Sequence, residues 1–180
     1  NAAGVGETME DHLAVVLPHL RPALAGPAAR ARISSLASHL PACPAGGFEI
    51  SLTDRTDRTD FHVFVSRGVV RAPGGTEPHP GWEAAARFSE AWAAADSPFA
   101  QAVVALILEF DLDPSSATVP PPSLFCAFHP VAGEQADVVR AVTAALVGER
   151  PFADLSAALD GCLAALPPLA GINHVGAMWS

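Results

Sequence analysis

Ala102 to Pro114 reads AVVALILEFDLDP, the longest nearly unbroken apolar run in the chain. Val103, Val104, Leu106, Ile107, Leu108 and Phe110 are mostly β-branched or bulky, and Pro114 ends the run. That composition predicts a central β-strand. Side chains alternate across a strand, so its two faces can be written down separately. Val104, Leu106, Leu108, Phe110 and Leu112 fall on one wholly apolar side. Val103, Ala105 and Ile107 begin the other, which turns acidic at Glu109, Asp111 and Asp113. A strand of this kind is covered on one side only.

Working outward, Ser123 to His129 alternates as a second strand, with Leu124, Cys126 and Phe128 on one side and Phe125 and Ala127 on the other. The proline-rich link before it is too short to hold a crossover helix, so the two strands pair antiparallel. Phe48 to Ser66 reads as another hairpin around the turn-forming repeat DRTDRT at 54–59. Between the hairpins, Trp82, Ala85, Phe88 and Trp92 mark a helix from Pro80 to Ala95, whose tryptophans suit packing on a sheet. Two helices precede the first hairpin, one from Glu7 to Leu17 capped by Thr8, the other begun at Gly26-Pro27 and carrying Ile33, Leu36, Ala37 and Leu40. Two more follow the second hairpin. Val138, Val139, Val142 and Leu146 point inward from the first. Phe152, Leu155, Leu159, Cys162, Leu163 and Leu166 give the second the most regular stripe in the chain. Ile172 to Trp179 reads as a last strand.

The order predicts an α+β fold: an antiparallel sheet of about five strands, two hairpins plus a C-terminal strand, with helices packed on one face. All 180 residues fit a single domain. A last strand needs a neighbour, so the chain is expected to be part of a longer one or to be completed by an oligomer partner.

Half of the residues are hydrophobic, and the formal net charge is −9. All ten basic residues are arginine, with no clustered patch. This balance disfavours nucleic acid and an anionic membrane as partners. Cys43, Cys126 and Cys162 are far apart and form no disulfide framework, which suggests a reducing, cytoplasmic location. Cys126 and Cys162 sit in apolar patterns and read as core residues, while Cys43 between prolines reads as exposed. The sequence holds no dinucleotide fingerprint, phosphate loop, nucleophile elbow or zinc-protease motif. It names no cofactor and no metal.

Laying the strands side by side gives one candidate site. The face away from the helices would carry Glu49, Ser51, Asp60, His62, Glu109 and Asp111, with His129 farther on and Phe64 and Phe125 as walls. Carboxylates two apart on a strand point the same way, so Glu109 and Asp111 could serve acid/base chemistry with His62 nearby. A one-sided sheet produces the same alternation on a merely wet face. Asp54, Asp57 and Asp60 could hold a cation but lack the glycine and terminal glutamate of a calcium loop. His79 in EPHP reads as a solvated loop residue, and His174 beside Gly176 as a structural one. The expected function is therefore a non-catalytic binding or assembly module, self-associating through the C-terminal strand. The alternative is a small-molecule-binding protein or enzyme using the polar sheet face around Glu109, Asp111 and His62.

Overall fold

The computed structural model describes residues 8–50, 59–68, 70–74, 76–112, 118–129, 135–167 and 170–179. In chain order the elements are α1 (Met9–Val16), a 3-10 turn (Leu17–His19), α2 (Pro27–Ala37), β1 (Ala45–Ile50) and β2 (Thr59–Val65). There follow α3 (Pro80–Ala93), β3 (Val103–Phe110), β4 (Ser123–Phe128), α4 (Ala136–Val147), α5 (Glu149–Ala164) and β5 (His174–Ala177). This is the α+β order that the hydrophobic periods predict.

Local chemistry sets the helix ends. Thr8 caps α1 in a reciprocal box: Asp11 N–H donates to its hydroxyl, and its own N–H donates to the Asp11 carboxylate at 2.7 Å. Pro27 and Pro80 open α2 and α3, where a missing N–H costs nothing. Arginine side chains close the C-terminal ends of α3 and α4. Arg67 donates to the carbonyls of Trp92 at 2.7 Å and Ala94 at 2.5 Å, past the last turn of α3. Arg87 of α3 donates to Leu146 at 3.1 Å at the end of α4. Each satisfies carbonyls that a helix terminus leaves open. A single residue, Gly148, separates α4 from α5, with φ +89° and ψ 156°. Only glycine occupies that region cheaply, which is how two helices reverse with no longer loop.

The five strands form one antiparallel sheet in the order β1-β2-β3-β4-β5. β3 lies at its centre, as the apolar run predicts. Its core side, Leu106, Leu108, Phe110 and then Leu112, is buried. Phe61 and Val63 of β2 and Leu124, Cys126 and Phe128 of β4 flank it on the same side. Helix α3 lays Trp82 against Phe110, with ring centres 5.8 Å apart, and Phe88 stacks on Phe99 at 5.2 Å. Val139, Val142 and Leu146 of α4 complete the core.

Several residues depart from their predicted places. Val104 is 49% exposed, whereas Val103 is buried. The register of β3 on β4 slips between Val103 and Ala105, so Val104 is the extra residue of a bulge and alternation reverses there. β1 begins at Ala45, and Gly46-Gly47 belongs to the strand. Cys43 is buried and Cys162 exposed, the reverse of the reading from their neighbours. Helix α5, with the most regular stripe, has no buried residue at all. β5 spans only His174–Ala177 of the predicted eight-residue strand.

Candidate functional site

The face of the sheet opposite the core side is where the candidate residues meet. Cross-strand register arranges them in rows. One row runs Gly47, His62, Glu109, Ser123, and the next runs Ala45, Phe64, Ile107, Phe125, Gly176. Glu49 faces Asp60 on the far side of the first row. The second row is an apolar ribbon: Phe64 and Phe125 flank Ile107, which is only 8% exposed. Two glycines, one in each row, let rings on this face lie close to the sheet. A β-carbon on Gly176 would sit 2.4 Å from the Phe125 ring, and one on Gly47 would sit 2.6 Å from His62 Nε2. Each ring therefore lies over the bare backbone of the neighbouring strand.

The acidic residues gather at one end. Glu109 has its carboxyl held above the ordinary range, first by burial and then by the charges of Glu49, Asp111 and Asp60. Asp60 accepts the Leu112 N–H at 3.3 Å, which ties the end of β3 to β2. His62 faces Glu109 across the register, yet its imidazole turns over Gly47 and edge-on to Phe64, 5.6 Å between centres. No hydrogen bond joins His62 to Glu109, so the two are neighbours without forming an acid/base dyad. His129 lies just past the opposite end of β4, roughly 20 Å along the strand from Ser123. The structure thus brings together Glu49, His62, Phe64, Glu109, Asp111 and Phe125 and leaves His129 apart. Ser51, Asp54, Asp57 and Asp113 lie outside the described residues. Among the described residues no group of three or more His, Cys, Asp or Glu is placed to hold a metal ion.

Because Glu109 prefers its proton in the folded state, ionising it opposes folding. Its protonated form favours the fold fully below the ordinary carboxylate range, and that advantage is lost as pH rises through the raised value. Replacing Glu109 by Gln should therefore raise stability at pH 7 by at most about 0.5 kcal/mol, since the group is largely solvent-screened. The gain should vanish near pH 4 and shrink with added salt, read by urea melts across pH.

One histidine set aside in the sequence has a definite role. His79 caps α3, accepting the Gly81 N–H on Nδ1 at 3.1 Å, which puts the proton of the neutral ring on Nε2. It also lines a cavity of about 400 Å³ with His39, Glu77 and Trp82. The proline that follows His79 was the available cue, because Pro favours the first helical turn. His174 is exposed on β5 rather than enclosed. No helix of the described residues is long and apolar enough to cross a membrane.

No protein-family model, curated protein or solved structure matches the chain.

Proposed function

We propose that this protein is a non-catalytic assembly module whose β5 end pairs with a second copy of itself. The observation that carries the reading is an edge strand and an adjacent helix that are both unfinished on the same side. β5 is the last strand of the sheet, and Ile172–Trp179 contains no charged residue or proline to discourage pairing. Met178, just past it, is 75% exposed. α4 packs on β5 and α5 packs on α4, so α5 is the outermost helix at this end. Leu159 and Leu163 of α5 pack against the core, while Leu155 on the same helix and Leu166 just past its end stay exposed at 48% and 38%. Pairing two β5 strands antiparallel about a two-fold axis continues the sheet and sets α5 against its copy. Both sets of edge groups and both apolar stripes are then satisfied by one self-complementary contact.

Light scattering on the eluting protein tests this. The expected mass is that of a dimer at micromolar concentration. Leu155→Glu, at an exposed position that costs the monomer little, should yield a folded monomer whose melting temperature no longer rises with protein concentration. A wild-type monomer at every concentration rejects the reading. A monomer whose melting temperature rises with metal ions or metabolites selects a second one, in which the open face binds a small ligand. The register that sets His62, Glu109 and Ser123 beside Phe64, Ile107 and Phe125 supports that alternative.

A further inference from the structure

On the core side of the sheet, a cavity of about 350 Å³ opens between the end of α2, β2 and the loop at 70–74. Its lining combines enclosed side chains, Cys43, Val63 and Leu108 behind Val70, with more open apolar ones, Pro41, Val65 and Ala72. The volume lies within the range of small-molecule sites, and walls of this kind favour an apolar occupant. The Cys43 thiol donates to the Pro41 carbonyl at 3.3 Å, and burial pushes it up to about 11. It stays protonated near neutral pH and contributes surface rather than reactivity.

Among the described residues, Arg71 is the one arginine, and the only residue with a permanent charge, that lines this chamber. It is exposed, so it stands at the rim. Arg30, Arg67, Arg87 and Arg140 are each engaged by carbonyls or carboxylates. Arg71 makes no hydrogen bond or ion pair among the described residues. His39, Pro73 and Gly74 line both this chamber and the adjoining 400 Å³ cavity, where Glu77 is the charged group. An anion placed in that second cavity would meet a carboxylate, whereas one at the mouth of the first meets a guanidinium. Size, apolar lining and charge together describe an amphiphile with an acidic head.

We propose that this cavity binds a medium-chain monocarboxylate, with its chain against Pro41, Val65 and Val70 and its carboxylate on Arg71. Titration calorimetry with decanoate and decanol, both below micelle-forming concentrations, tests it. One decanoate should bind per chain. Arg71→Ala should weaken decanoate about fivefold, the upper end for an exposed ion pair, while leaving decanol unchanged. Added salt should weaken decanoate and spare decanol. Val70→Phe fills the chamber and should abolish both. Ala72→Trp, at an exposed lining position, serves the same purpose if Val70→Phe fails to fold. The proposal is overturned if decanoate does not bind or if Arg71→Ala weakens both probes equally. Binding that survives the filled chamber in a folded variant overturns it too.

Discussion

Leu108→Ala is expected to lower the unfolding free energy by about 2–5 kcal/mol, the cost of deleting a large aliphatic side chain from a core. Leu108 is 1% exposed and sits between Val63 and Leu124 at the middle of the sheet. Its methyl groups have neighbours on both adjacent strands, so the vacated volume cannot collapse from one side. Val104→Ala, on the same strand, should change stability by no more than about 0.5 kcal/mol, because the bulge turns Val104 into solvent. Urea melts of the two variants give the comparison directly. The midpoint should fall for Leu108→Ala with an unchanged slope and stay put for Val104→Ala. Equal losses would mean that the strand alternates without a bulge and that Val104 faces the core.

Gly81→Ala should destabilise by roughly 1–3 kcal/mol, against the usual direction of the substitution. Glycine inside a helix normally costs about 1 kcal/mol relative to alanine, so propensity alone predicts a gain. Gly81 is buried in the first turn of α3, and a β-carbon there would lie 2.6 Å from the Pro122 carbonyl oxygen and 3.3 Å from His79 Nδ1. The carbonyl belongs to backbone at the entry to β4 and cannot swing aside like a side chain. The added methyl therefore has to push α3 off the sheet or break the His79 cap. In a thermal melt the loss should appear as a drop of about 2–4 °C for each kcal/mol in a chain of this size. A higher melting temperature would mean that α3 is not held against the segment before β4.

Much of this architecture is local and could be read from the chain. Hydrophobic periods of two and 3.6 residues, punctuated by Pro and Gly, specify which segments are strands and which are helices. The candidate site was legible in part for the same reason. Alternation assigns Glu109, His62, Phe64 and Phe125 to one face before any neighbour is known. Their mutual register is not local. His62 reaches Glu109 only because β2 and β3 pair where they do, and its ring turns to Gly47 because β1 lies beside it.

The sequence by itself determined the order of elements, the central place of residues 103–110 and the side of that strand on which its acids stand. Tertiary structure alone decided that Val104 leaves the core, that Cys43 is enclosed and Cys162 is not, and that α5 keeps half its stripe in solvent. A period reports that an element has an apolar face. Burial is a property of two surfaces, and it exists only once the fold sets another surface opposite the first.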